Sequence, residues 1–230
     1  MTDTEPGTKQ EPEPKIAPRM IFTLGLAGLL SGLLIVVVYE VTLPLITANR
    51  AEALRKAVFE VVPGASAMQQ LIERDGALVV SGDVSDGEAI YAAYSDTGGF
   101  LGYAIPGEGA GFQDTIRLLY GFEPGQRHVV GMEILESKET PGLGDKIFKD
   151  EDFVRNFEAL AVAPEIIVVK NGAGEADHEV DGITGATISA KAVVKIINAS
   201  NLVWLDKLPP PGDEPALQTP PEDKVDKVDK

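Results

Sequence analysis

The chain has 230 residues, and its 20 Lys and Arg against 36 Asp and Glu leave a formal net charge of −16. That balance excludes a nucleic-acid partner, which needs a basic patch. The absence of cysteine excludes disulfides, thiolate nucleophiles and cysteine-ligated iron–sulfur clusters. The two histidines, His128 and His178, lie in unrelated surroundings, so neither a histidine metal site nor a Ser-His-Asp triad is expected.

Charge and proline divide the chain. Ten of the 16 prolines fall in residues 1–19 and 206–230, two ends too poor in apolar surface to offset the entropy of ordering. Both ends are therefore predicted to be disordered. Residues 40–205 carry 25 acidic against 13 basic side chains and read as an acidic domain in their own right.

Residues 20–39 read MIFTLGLAGLLSGLLIVVVY and carry no formal charge, the length that an α-helix needs to cross a hydrocarbon core of about 30 Å. The run ends in Val38-Tyr39-Glu40 and not in a small-x-small cleavage site, which favours an uncleaved anchor over a signal peptide. Lys9, Lys15 and Arg19 before the span nearly balance Arg50, Arg55 and Lys56 after it, so charge alone leaves the orientation open. Gly25, Gly28 and Gly32 share one helix face and permit close approach by another helix. Pro44 is expected to break the run, and a short helix is predicted over 48–62, stopped at Pro63-Gly64.

Short apolar runs follow at 77–80, 89–94, 100–105, 115–119 and 129–135, punctuated by Asp-Gly, Gly-Gly and Pro-Gly pairs typical of antiparallel strands. The spacing of Phe153, Phe157 and Leu160 predicts a helix over 150–160, residues 165–170 read as one more strand, and 186–205 as a long amphipathic helix. The expected fold is α+β, a twisted antiparallel sheet with helices packed on it.

Two loops stand out. In Glu139-Thr140-Pro141-Gly142-Leu143-Gly144 the proline presets one backbone angle and the glycines permit close approach to a flat ligand, although an ordinary strand-to-helix turn reads the same way. The segment from Asp181 to Ser189 opens the last helix with three hydroxyls and two glycines. Free N–H groups at a helix start suit a phosphate; equally, Thr184 could be the N-cap, with Thr187 returning its hydroxyl to the backbone. No Gly-Lys-Ser/Thr follows, so this is not a P-loop.

Together these residues resemble the flavin-binding domain found in the G subunit of the Rnf ion-translocating electron-transport complex, a domain shared with the C subunit of the sodium-pumping NADH:quinone reductase. Thr184-Gly185-Ala186-Thr187 is similar to the family's Ser/Thr-Gly-Ala-Thr motif, with its aspartate at Asp181 and its following hydroxyl at Ser189; the 139–144 loop resembles the second signature. The segments Val41-Thr42-Leu43-Pro44-Leu45-Ile46 and Asn49-Arg50 are similar to the start of the ectodomain of the Rnf G subunit, and the likeness runs from about Met20 to Leu205.

The resemblance implies FMN joined to Thr187 through a phosphoester, installed by a separate magnesium-dependent flavin transferase that uses FAD, so that no catalytic nucleophile or metal site is required of the chain itself. It implies Thr184, Gly185, Ala186, Glu139, Thr140 and Leu143 as residues shaping the flavin site, and Asp181 as an aid to attachment or a former of the turn. It further implies a cytoplasmic N-terminus in residues 1–19, a membrane span at 20–39 and a flavin domain at 40–205 outside the cytoplasmic membrane; the proline-rich tail at 206–230, which repeats Val-Asp-Lys, departs from the family pattern. The flavin would relay electrons between membrane subunits of an ion-translocating ferredoxin:NAD oxidoreductase, coupled to Na⁺ or H⁺ transport. The alternatives are the C subunit of the sodium-pumping quinone reductase and an anchored, non-redox module that binds a phosphate ligand.

Overall fold

The computed structural model describes residues 17–74, 76–81 and 89–218, so the disorder expected of 1–16 and 219–230 lies outside the described residues. The chain divides into two units, Met1–Arg50 and Ala51–Lys230.

The first unit holds most of helix α1 (Ala17–Val61), which within Pro18–Val61 is long and apolar enough to cross a membrane. Ile21, Phe22, Leu24, Leu33 and Ile35 are all exposed, a surface that suits lipid and not water. The break expected at Pro44 does not occur; the helix passes through it. The missing N–H costs one bond to the preceding turn. Side chains add bonds on either side, Thr42 Oγ1 donating to the Val38 carbonyl at 2.8 Å and Thr47 Oγ1 to that of Pro44 at 2.9 Å. The helix ends at Val61, just before the expected stop at Pro63-Gly64, where Gly64 takes φ +84°.

In the second unit the strands β1 (Ala67–Arg74), β2 (Ala77–Ser81), β3 (Ala89–Tyr94), β4 (Phe100–Ala110), β5 (Thr115–Glu123), β6 (His128–Glu136) and β7 (Leu160–Ala161) form one sheet in the order β2-β1-β3-β4-β5-β6-β7, with every pairing antiparallel. Between β6 and β7 lie two short helices, α2 (Lys146–Lys149) and α3 (Glu151–Arg155), in place of the single helix expected over 150–160. The Asp150 carboxylate, which accepts from Asp152 N and Phe153 N, starts a new helix there, and Leu160 leaves it to pair with Val129. β8 (Ile167–Val169) and β9 (Glu179–Asp181) form a separate parallel pair, and α4 (Thr187–Trp204) follows.

The two sheet faces differ in texture. On one, α4 packs Ala190, Val193, Ile196 and Ile197 into a large core with Tyr103, Ile105, Leu118, Tyr120 and Phe122. More than half of the α4 segment is buried, so this second apolar helix is a core helix and not a span. The other face is lined by smaller residues, Ala93 and Ala104 with Tyr91 and Leu119, against Ala57, Val58, Val61 and Val62. Gly121 and Gly131 sit opposite each other in the β5–β6 register, and a Cβ on either would run into the Val61 backbone. Glycine there is what lets the helix end reach the sheet.

Residues 206–218, placed by sequence in the disordered tail, are held on the domain. Leu208 and Leu217 pack against the core, Tyr94 Oη donates to the Pro215 carbonyl at 2.5 Å, and Gln69 pairs with both the Ala216 carbonyl and Gln218 N. Burial, and then the nearby Glu214 carboxylate, push the Tyr94 phenol up to about 12. The segment is ordered by long-range partners, which its own composition does not reveal.

Candidate functional site

The last helix begins in an open turn. Gly185 takes φ +84°, a conformation that a side chain would strain, and Ala186 stands at the N-cap with no side-chain hydrogen bond. Thr184 therefore does not cap the helix. Thr187 Oγ1 makes a long 3.3 Å bond to the Ile183 carbonyl, and its side chain is exposed. The N–H groups of Thr187, Ile188 and Ser189 have no carbonyl acceptor among the described residues, as the opening amides of an uncapped helix must. Their partial positive charge points out beside the Thr187 hydroxyl.

The 139–145 loop is folded against this turn. The Thr140 carbonyl accepts from Leu143 N and Asp145 N at 3.1 and 3.4 Å, and Gly142, at φ +79°, donates to Asp145 Oδ1 at 2.7 Å. The Lys149 ammonium, 2.6 Å from Asp145 Oδ2, is the main reason that the Asp145 carboxyl is held below the usual carboxylate range. Lys146 Nζ crosses to the Thr184 carbonyl at 3.3 Å, and Thr140 Oγ1 donates to Gln113 Oε1 at 2.7 Å.

Glu139 lies beneath. It is 6% exposed; its Oε1 accepts from Phe112 N and Gln113 N at 2.9 and 3.0 Å, and its Oε2 from Ser189 Oγ at 2.5 Å. Burial pulls its carboxyl upward, but these donors outweigh burial and hold it below the usual carboxylate range. Gly144 makes room for Glu139 and Ser189, against which a Cβ would collide. Gly111 does the same for Glu139 Oε1.

Of the residues singled out by sequence, Thr184, Gly185, Ala186 and Thr187 thus meet Glu139, Thr140 and Leu143 at one site. Asp181 turns elsewhere: its Oδ1 accepts from Ala173 N and Gly174 N, and its own N–H donates to Asn156 Oδ1, so it shapes the neighbouring turn. Sequence reasoning missed Phe112, Gln113, Lys146 and Ile188. Phe112, Leu143 and Ile188 are 63%, 52% and 59% exposed and rim the segment that carries Thr187. An aromatic placed between Gly111 and Gln113, in a polar turn, was the available signal. A cleft of about 540 Å³ runs along the far half of α4, lined by Pro106, Ile196 and Trp204 among others, and shares no residue with this site.

Residues 111–200 match the FMN-binding domain family, a span that contains every site residue named above. The chain is 30% identical to the G subunit of the Na⁺-translocating ferredoxin:NAD⁺ oxidoreductase complex of Acetobacterium woodii, covering 69% of this chain and 73% of that protein. It is also 30% identical to the G subunit of the ion-translocating oxidoreductase complex of Haemophilus influenzae, covering 84% and 92%. In fold it is similar to the C subunit of the Na⁺-translocating NADH-quinone reductase of Parabacteroides distasonis, with a TM-score of 0.55 at 21% identity over 70% of this chain and 94% of the other. That last likeness bears on fold alone and agrees with the α+β architecture expected from sequence. The chain belongs to the family formed by the G subunits of ion-translocating oxidoreductase complexes.

Proposed function

We propose that this protein is the membrane-anchored electron-transfer subunit of an Rnf-type ion-translocating ferredoxin:NAD oxidoreductase, with FMN joined through its phosphate to Thr187. The observation that carries the reading is the start of α4: an exposed threonine hydroxyl beside three N–H groups that no side chain caps. The residues fit the group. The amides of Thr187, Ile188 and Ser189 offset the phosphate charge, and Lys146, reaching Thr184, adds a cation nearby. The exposed faces of Phe112, Leu143 and Ile188 offer apolar contact to a flat ring.

When bound, FMN supplies one- and two-electron transfer, while the protein supplies position and electrostatics. Thr187 fixes the attachment point; Thr140 and Lys146 hold the neighbouring loop; Asp181 shapes the turn at 173–174 and not the one before the helix. In attachment the Thr187 hydroxyl oxygen would bond to the FMN phosphorus of FAD as AMP leaves, a step catalysed by a separate flavin transferase, so the chain itself needs no catalytic group for it.

In this reading residues 20–39 span the membrane, residues 40–205 form the flavin domain on the extracytoplasmic side, and other membrane subunits of the complex are the electron partners. The absence of cysteine makes the side testable: a single Glu158→Cys should be labelled by an impermeant maleimide in intact cells. Labelling only after lysis would overturn the topology. For attachment, the full chain made with the transferase should keep its flavin fluorescence after denaturation and show an FMN mass increment on the peptide containing Thr187. A flavin that washes away, or one retained in Thr187→Ala, would overturn the reading.

A further inference from the structure

We infer that Glu139 and Ser189 form a buried latch that locks the 139–145 loop to the first turn of α4, so that the attachment site is assembled before any flavin arrives. The inference rests on the attachment reading above and adds to it two positioning residues that act from below the site.

One carboxylate joins three segments. Its Oε1 takes the N–H groups of Phe112 and Gln113, 27 and 26 residues earlier, and its Oε2 takes the hydroxyl of Ser189, 50 residues later. Ser189 is 2% exposed and lies in the same opening turn as Thr187, so its side chain sets how the start of α4 is rotated relative to the loop. A buried carboxylate is costly unless its oxygens are fully met. Here the donors are two amides and a hydroxyl, which leaves neither oxygen turned outward to a ligand. The surroundings are cut to fit: a Cβ at Gly111 would strike Oε1, and one at Gly144 would strike both Oε2 and Ser189 Oγ. Two sequence signatures about forty residues apart are therefore the halves of one hydrogen-bonded unit.

The latch also explains the rim. Phe112 follows the glycine that clears Glu139, Leu143 precedes the other, and Ile188 precedes Ser189. Each exposed apolar side chain is thus a backbone neighbour of a group that the carboxylate fixes. Glu139 positions these side chains through the backbone and does not itself touch the ring.

The test uses the full chain in detergent, prepared without the transferase, as wild type, Ser189→Ala, Glu139→Ala and Glu139→Gln. Amide hydrogen exchange is followed at residues 111–113, 140–145 and 190–193, the last being the first amides of α4 with carbonyl partners, and the purified transferase with FAD is then added to time attachment. Ser189→Ala and Glu139→Ala should speed exchange in all three segments, and slow attachment, by about tenfold, the scale of one lost buried hydrogen bond to a charged group. Glutamine can still accept both amides and donate to Ser189, so Glu139→Gln should stay within about threefold of wild type. Thermal melts that remain cooperative in Ser189→Ala separate a loosened site from an unfolded domain. The inference is overturned if Ser189→Ala matches wild type in both readouts, or if Glu139→Gln is as impaired as Glu139→Ala. The exchange arm needs no flavin, so a wild-type chain lacking the mass increment at Thr187 would sink the attachment reading while leaving the latch to stand or fall on its own result.

Discussion

The two ends of α4 are built on opposite plans. At its C-terminal end Trp204 is buried, Asn201 Oδ1 accepts from the Tyr120 phenol at 2.8 Å, and Ser200 Oγ donates to the Pro106 carbonyl at 2.9 Å. The chain then turns back, with Leu208 and Leu217 packed against the core. At the N-terminal end the cap position is an alanine, the hydroxyl of Thr187 is exposed, and three large apolar side chains face outward. One end ties a tyrosine, an asparagine oxygen and a serine hydroxyl to partners elsewhere in the fold; the other leaves its opening amides uncapped beside an exposed threonine. Under the proposed function, stability and ligand attachment are separated along a single helix, so each can be altered without the other.

The comparison can be broken most decisively at Thr187. Thr187→Ala should abolish covalent flavin entirely, read by intact mass, yet shift folding stability by no more than about 0.5 kcal/mol, because it removes only one long hydrogen bond. Trp204→Ala should do the reverse. Truncating its buried ring should cost about 3–5 kcal/mol, measured by urea denaturation, while the folded fraction still takes up flavin. Loss of flavin in that variant would join the two ends again. Tyr120→Phe is a gentler version of the same test, expected to cost about 1–2 kcal/mol through its bond to Asn201 and to leave attachment unchanged.

The smallest effect concerns pH. Because the fold holds the Glu139 carboxyl below its usual range, its contribution to stability is present above the unfolded value of about 4.3 and is lost as pH falls through the folded one. Acid should therefore loosen residues 111–113 and 190–193 before the C-terminal half of α4, and Glu139→Gln should remove that part of the acid dependence. Hydrogen exchange between about pH 3 and pH 6, corrected for intrinsic rates, reads this directly.

Much of this arrangement is legible without coordinates, and the gaps have physical causes. β3 and α4 come close to their expected limits because alternation and helical spacing are local patterns. β1 escapes notice because Gln69 and Gln70 interrupt its apolar run. Gln69 nevertheless lies buried, its amide met by the Tyr94 phenol and by residues 216 and 218. Pro44 misleads in the other direction, since a proline that ends most helices is carried through this one. At the site, the turn around Gly185 and the exposure of Thr187 follow from local chemistry, whereas the inward direction of Glu139 depends on a serine 50 residues away.

By itself, then, the sequence determines the apolar helix, the acidic α+β domain, the positions of most strands and the hydroxyl-rich opening of α4, all set by composition, periodicity and turn residues within a few positions of one another. Only the tertiary structure decides that Val61 lands on the facing glycines Gly121 and Gly131, that residues 208–218 fold back on the sheet, and that Glu139 ties the 139–145 loop to the start of α4. These depend on which partners close over tens of residues, where the gain comes from satisfying buried polar groups and excluding a Cβ, and no local pattern records it.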